Sequence, residues 1–204
     1  MCLYDFDNAV INEGFKVFAG IDEAGRGPLA GPVVASAVIL RYDIKIDGLN
    51  DSKKLTAKER ERIFCLIHNN ALNIGIGIAD SEKIDRLNIL RATMLAMSLA
   101  IKDLKIKPDL LLIDAMTIPF IKIKQRALIK GDAKSASIAA ASIIAKVTRD
   151  RIMANYHKKY PVYGFDRHKG YPTNEHIHKL NIHGPCPIHR RSFQRVSAFS
   201  LPFD

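Results

Sequence analysis

Cysteine is scarce in this chain. Cys2, Cys65 and Cys186 are odd in number and widely scattered, which argues against a disulfide framework and fits a reducing compartment. Long apolar runs are also missing. The longest, Pro28 to Leu40, is interrupted by Gly31 and Pro32 and falls short of the roughly 20 apolar residues that a membrane span needs. The N-terminus carries Asp5, Asp7 and Glu13 where a signal peptide has a basic start and an apolar stretch. No internal repeat, low-complexity tract or Walker A sequence is present, and no linker separates a second domain. These absences point to a cytoplasmic protein without membrane contact, with residues 1–204 forming one domain.

The positive charge is concentrated towards one end. Residues 1–120 hold 15 Lys/Arg against 16 Asp/Glu, whereas residues 121–204 hold 16 against 5, a net +11. Such asymmetry suits a polyanionic partner, nucleic acid or an anionic membrane surface, and equally suits a basic face kept for solubility. No amphipathic basic helix supports the membrane alternative.

Hydrophobic patterning predicts an α/β fold with a mixed sheet in the order β-β-α-β-α-β-β-α. Val17–Asp22 and Pro32–Leu40 read as buried strands, followed by a polar connection at residues 50–55. Thr56, with Glu59 three residues on, predicts a capped helix of about four turns. Asn73–Ala79 reads as a strand, and Asp80 or Ser81 caps a helix running towards Asp103, with Leu87, Leu90, Met94, Leu95 and Leu99 on its apolar side. Leu110–Asp114 and about Gln125–Ile129 read as further strands, and the Ala/Ser-rich Ala133–Arg151 as a tightly packed helix. From Tyr160 onward the chain is rich in Pro, Gly, His, Lys and Arg and has little apolar surface of its own.

Four acids stand where strands end or a helix begins: Asp22, Glu23, Asp114 and Asp132. Converging carboxylates at strand ends make a hard oxygen site for Mg²⁺ or Mn²⁺. Taken singly, Asp22 equally suits a turn, and Asp132 equally suits an N-cap. The turn Gly25-Arg26-Gly27 lacks the following helix that a dinucleotide site needs, because Pro32 leads into a Val-rich strand. It still offers backbone N–H groups to a phosphate or sugar hydroxyl. His176, His178, His183, Cys186 and His189 cluster closely, but their spacings do not match structural zinc patterns. The adjacent Arg190 and Arg191 are expected to meet phosphate or carboxylate partners. The last residues, Ser200 to Asp204, carry no pattern.

Four stretches occur together: Gly20–Gly31 (GIDEAGRGPLAG), Asp51–Leu55 (DSKKL), Lys130–Asp150 (KGDAKSASIAAASIIAKVTRD) and Tyr160–Phe193 (YPVYGFDRHKGYPT to HGPCPIHRRSF). In this order they resemble ribonuclease HII, from about residue 17 to residue 196. The resemblance implies a ribonuclease H-like fold: a five-stranded mixed sheet flanked by helices, a core over about residues 17–155, and a helical basic C-terminal substrate-binding segment from about 156 to 204. It implies that Asp22, Glu23, Asp114 and Asp132 hold Mg²⁺ or Mn²⁺, two ions during catalysis. It implies that Gly25, Arg26 and Gly27 contact the backbone around a ribonucleotide and its 2′-hydroxyl. Tyr171 would stack on the following deoxyribose, with Ser52, Lys53 and Lys146 near the phosphates. Ala115 departs from the pattern, since many relatives carry glycine there. The expected substrate is an RNA–DNA hybrid or duplex DNA containing ribonucleotides, cut 5′ of the ribonucleotide by a monomeric enzyme to leave 5′-phosphate and 3′-hydroxyl. The alternative is a non-catalytic basic nucleic-acid-binding module, which explains the charge but not the acids at strand ends.

Overall fold

The computed structural model describes residues 3–199; Cys2 and the unpatterned segment 200–204 lie outside them. Five strands form one mixed sheet: β1 (Phe18–Ala24), β2 (Val33–Leu40), β3 (Ala71–Ala79), β4 (Leu110–Asp114) and β5 (Lys124–Leu128), in the spatial order β3-β2-β1-β4-β5. β1 runs antiparallel to β2 and parallel to β4, β2 is antiparallel to β3, and β4 is parallel to β5. The sheet is thus mixed, as expected.

Helices cover both faces. Ala19 and Ile21 of β1, Ala35 and Ala37 of β2, and Leu111 and Ile113 of β4 pack against α4 (Ile89–Asp103) on one side. The alternate residues meet α5 (Ala136–Lys159) and α2 (Ala57–Asn70) on the other, as the two-residue period of a strand requires. α5 lies directly on β1: a Cβ at Gly20 would run into the backbone of Ser137 and Ile138. α5 is buried nearly all round over its first three turns, which accounts for its Ala/Ser composition.

Several elements differ from expectation in instructive ways. The capping box at Thr56 and Glu59 is present and starts α2. The single helix expected up to Asp103 is two, α3 (Ser81–Leu87) and α4, split at Asn88, which takes φ +67° and caps α4 through Arg91 N. Its buried stripe is Ala92, Ala96, Met97 and Ala100, while Leu90 and Leu99 are exposed. The cause lies on β3, where Gly75 and Gly77 let the α4 backbone approach so closely that small residues must face the sheet. α5 starts at Ala136 behind the N-cap Ser135, and residues 131–133 form a separate 3-10 turn. α5 also runs eight residues past Arg151, because Met153 is buried under the C-terminal segment.

A helix absent from the sequence reading, α1 (Leu3–Asn12), packs Val10 against Phe18, Leu110 and Leu112. The C-terminal segment holds α6 (Phe165–His168), α7 (Asn174–His183) and α8 (Gln194–Ser197). It has a small apolar core, completed by Leu29, Ala30 and Met153 from outside the segment. Among the described residues no helix is long and apolar enough to cross a membrane.

Candidate active site

β1 and β4 lie side by side and parallel, with Gly20 opposite Leu112 and Ile21 opposite Ile113. The next position along each strand is Asp22 and Asp114, both on the α5 face. β1 continues two residues beyond Asp22, so Asp22 stands inside the strand rather than at its end, opposite Ser36 of β2. Only 5% of Asp22 is exposed, and its side chain accepts from Glu23 N at 2.7 Å. Burial, then the charges of Glu23 and Asp114, push its carboxyl well above the usual carboxylate range, against the lowering effect of Glu23 N and Ser142.

Glu23 follows on the opposite face of β1, yet both acids border one cleft that opens at this end of the sheet. Burial raises Glu23 although Arg26 lies 3.3 Å from its Oε1. Its Oε2 is buried with no hydrogen-bond partner. Asp114 accepts from Gly131 N at 2.7 Å, and burial raises its carboxyl as well. Directly after it, Ala115 takes φ +55°, the left-handed region that favours glycine, so alanine at this position carries some strain.

Asp132 is 4% exposed and sits on the 3-10 turn Gly131–Ala133. It does not cap α5, a role that Ser135 fills through Ile138 N. Its Oδ2 meets Lys53 Nζ at 2.8 Å, and it lines an adjoining recess of about 330 Å³ rather than the main cleft. Lys53 borders both. Among the described residues no group of three or more acids, histidines or cysteines is arranged as a finished metal site, and Lys53 occupies Oδ2 of Asp132. The donors nevertheless fit a hard divalent cation: a buried orphan carboxylate oxygen, and an Asp22 carboxyl raised by burial and by the charges of Glu23 and Asp114, are what such a cation would relieve.

The main cleft encloses about 280 Å³ and is bordered by Asp22, Glu23 and Asp114 together with Gly25, Arg26, Gly27, Ser52, Lys53, Lys146 and Tyr171. All the anticipated residues except Asp132 therefore share one wall. Tyr171 is 41% exposed, and its ring edge lies 3.8 Å from where a Cβ on Gly27 would stand. Lys146 Nζ is 6.0 Å from the ring centre and 2.8 Å from Asp150. Ser52 Oγ pairs with Ser142 Oγ at 2.8 Å.

Sequence reasoning missed Arg60 and Ser142, which border the cleft, and the supports behind it. Arg60 holds the loop that carries Ser52 and Lys53 by bonding Ser52 O at 2.9 Å and Leu55 O. Arg190 forms no ion pair with a carboxylate among the described residues and donates instead to the carbonyls of Gly25, Arg26 and Gly31. Arg149 donates to Ala30, Pro32 and Lys169. A signal for Arg149 existed: it continues the four-residue spacing of buried Ala145 and Met153 along α5. In the His/Cys cluster, His189 turns one ring nitrogen to His176 at 3.0 Å and the other to Cys186 Sγ at 3.2 Å. His178 and His183 are exposed. One imidazole facing two partners in this way cannot direct both towards a single ion.

The chain is similar to known proteins over most of its length. The family model described as Ribonuclease HII matches residues 19–196. A ribonuclease HII of Acetivibrio thermocellus is 58% identical over 195 residues, covering 96% of this chain and 75% of the relative. The crystal structure of the ribonuclease H2 from Pyrococcus horikoshii OT3 superposes with a TM-score of 0.76 at 29% identity, covering 90% of this chain and 96% of that one. Bst-RNase HIII in complex with Mn²⁺, at 18% identity and a TM-score of 0.70 over 94% of this chain and 71% of its own, shares the fold. The fold is ribonuclease H-like, and with a match over most of its length the chain belongs to the ribonuclease HII family, a family of nucleases.

Proposed function

We propose that this nuclease hydrolyses the RNA strand of RNA–DNA hybrids and cuts 5′ of ribonucleotides embedded in duplex DNA, leaving 5′-phosphate and 3′-hydroxyl. The observation that carries the reading is the single cleft in which buried acids, one with an orphan carboxylate oxygen, adjoin a glycine turn and a half-exposed tyrosine. Asp22, Glu23, Asp114 and Asp132 would hold Mg²⁺ or Mn²⁺, two ions in the reaction, which supply charge for the phosphodiester and lower the pKa of the attacking water. Mn²⁺ is the ion bound in the Bst-RNase HIII structure, whose fold this chain shares.

The chain's own residues do the rest. Telling RNA from DNA at the cut site has to use the 2′-hydroxyl, and Gly25-Arg26-Gly27 brings main chain to the cleft edge without side-chain bulk at two of three positions. Tyr171 offers a flat apolar face to the next sugar, with the cations of Lys146 and Arg149 6.0 and 5.9 Å from its ring centre. Ser52, Lys53 and Lys146 attract phosphate. The basic segment from about residue 156 adds affinity that positions the duplex without reading its sequence. The enzyme works as a monomer in the reducing cytoplasm, where Cys65 and Cys186 stay free thiols.

The test uses an end-labelled DNA duplex carrying one ribonucleotide, with Mg²⁺, Mn²⁺ or EDTA, beside an all-DNA control. A metal-dependent cut on the 5′ side of the ribonucleotide, with the control intact, is the expected result. Tight binding without a cut in either metal overturns it, and cutting of the all-DNA control overturns the 2′-hydroxyl reading.

A further inference from the structure

Arg149 and Arg190 are both fully buried, although arginine is almost never buried without a carboxylate partner. Neither forms an ion pair among the described residues. Their hydrogen bonds end on main-chain carbonyls instead. Arg190 reaches Gly31 O at 3.0 Å, Arg26 O at 2.9 Å and Gly25 O at 2.5 Å. Arg149 reaches Pro32 O at 2.9 Å, Ala30 O at 3.1 Å and Lys169 O at 3.0 Å. Five of these six bonds land on residues 25–32, and the sixth lands two residues before Tyr171.

We infer that Arg149 and Arg190 are positioning residues that set the spacing between the glycine turn and Tyr171, and so determine the preference for a ribonucleotide followed by a deoxyribonucleotide. The inference rests on the proposed roles of that turn and of Tyr171.

Geometry carries the argument. A guanidinium is a rigid planar fork, so three carbonyls bonded to one fork are fixed relative to each other as well as to the arginine. Arg149 is the member that joins the two reading elements, holding Ala30 and Pro32 on one side and Lys169 on the other. Main chain ties the same segments, with Leu29 N to Gly170 O at 2.8 Å, Gly31 N to Ile188 O at 2.9 Å and Arg190 N to Leu29 O at 2.8 Å. The guanidinium of Arg149 also lies 5.9 Å from the Tyr171 ring centre. With the carbonyls of Gly25 and Arg26 drawn inward to Arg190, the outer side of the turn is left to the cleft.

The same contacts account for a glycine. Gly25 takes φ +100°, and a Cβ there would strike Nε and Cδ of Arg149. Glycine at this position is therefore required by the arginine behind it as well as by the turn. A frame built from apolar side chains would leave the inward carbonyls buried without donors, which main-chain groups rarely tolerate. Burial lowers both guanidinium pKa values, that of Arg190 to about 9, which leaves Arg190 charged at neutral pH.

The experiment compares wild type, Arg149→Lys and Arg190→Lys on two substrates, a DNA duplex with one ribonucleotide and a uniform RNA–DNA hybrid. kcat and KM are measured separately for each, and a thermal melt checks that each variant is folded. Lysine keeps the charge and loses the fork. A displacement of about 1 Å at a positioned site can cost about 10²-fold. The expected result is that the ratio of the two kcat/KM values falls by about tenfold or more, while turnover of the uniform hybrid changes far less. A double-mutant cycle of Arg149→Lys with Tyr171→Ala should be non-additive in that ratio.

A folded lysine variant that melts lower but keeps the wild-type ratio overturns the inference and leaves the arginines merely structural. If the lysine variants do not fold, Gly25→Ala presses on Arg149 from the turn side, and an unchanged ratio there overturns it equally. Wild type that does not distinguish the two duplexes overturns instead the role given to Tyr171, a failure separate from that of the frame.

Discussion

Two regions of this molecule bury charge, and they do so in opposite ways. At the end of β1 and β4, Asp22 and Glu23 are packed in with each other, an oxygen of Glu23 has no partner, and burial raises both pKa values. A few residues away, Arg149 and Arg190 are buried as deeply, with carbonyls arranged around their forks. The acids, satisfied only in part, form a site suited to a cation, whereas the fully bonded arginines form a framework. Satisfaction, rather than burial, separates the two, since a buried charge that is neither paired nor bonded persists only where something outside the protein relieves it.

The sharpest way to break this comparison is Asp22→Asn. If the acid serves chemistry at the expense of the fold, the variant loses about 10³-fold or more in kcat yet melts higher than wild type in EDTA at neutral pH. The sign follows from linkage: a carboxyl whose folded pKa is raised from 3.8 destabilises the fold once pH exceeds that ordinary value, most fully above the folded pKa. The gain in melting temperature should therefore vanish as pH falls towards 3.8. A lower melting point at pH 7, measured by calorimetry, would place Asp22 with the framework.

The C-terminal segment should respond to acid in the opposite direction. Burial lowers His176 and His189 from 6.5 to about 4, so their neutral rings contribute stability that is full above 6.5 and is lost as pH falls through about 4. Thermal melts between pH 7 and pH 4 should show this loss, and His176→Gln should flatten it, because the 3.0 Å contact between the two rings then no longer joins two groups that resist protonation. A variant with the wild-type slope would remove the pair from the account of acid stability.

Asp7 gives a third, smaller test. It is 5% exposed and accepts from Ser135 Oγ at 2.6 Å, Ser137 N at 2.9 Å and Ser137 Oγ at 2.7 Å, capping α5 from a helix that lies before the matched family residues. Asp7→Ala should lose about 1–2 kcal/mol in urea unfolding, the size of a lost cap. It should also lower kcat modestly, since Ser135 stands three residues from Asp132.

These tests also mark what the sequence made legible. The succession of strands and helices along the chain, the capping box at Thr56 and the candidate acids follow from periodicity and residue chemistry that need no distances, whereas the spatial strand order and the place of Asp22 inside β1 do not. The apolar face of α4 did not follow, because Gly75 and Gly77 on another element decide which helix residues meet the sheet. Arg149, Arg190 and Asp7 escaped for a related reason. Their partners are carbonyls and hydroxyls, groups that every segment carries, at separations of 20 to 165 residues. Asp132 was found by type but not by surroundings, as its 3-10 turn and its contact with Lys53 depend on tertiary packing.

That last contact supplies the finest discrimination. Lys53 is 77% exposed while its partner Asp132 is 5% exposed by side chain, and the hydrogen bond to Asp132 leads the effects that raise the lysine pKa. With one partner in solvent, the pair should be worth only about 0.5 kcal/mol to the fold, so Lys53→Ala should leave the melting temperature nearly unchanged. The ammonium nevertheless holds the Asp132 oxygen that a divalent cation would need. At saturating duplex, the metal concentration giving half-maximal rate should therefore fall a few-fold in Lys53→Ala and stay near wild type in Lys53→Arg, while KM for the duplex rises with the loss of a phosphate-attracting charge. If the half-maximal concentration rises instead, Lys53 holds Asp132 in place for the cation rather than competing with it, and the pair belongs with the framework charges.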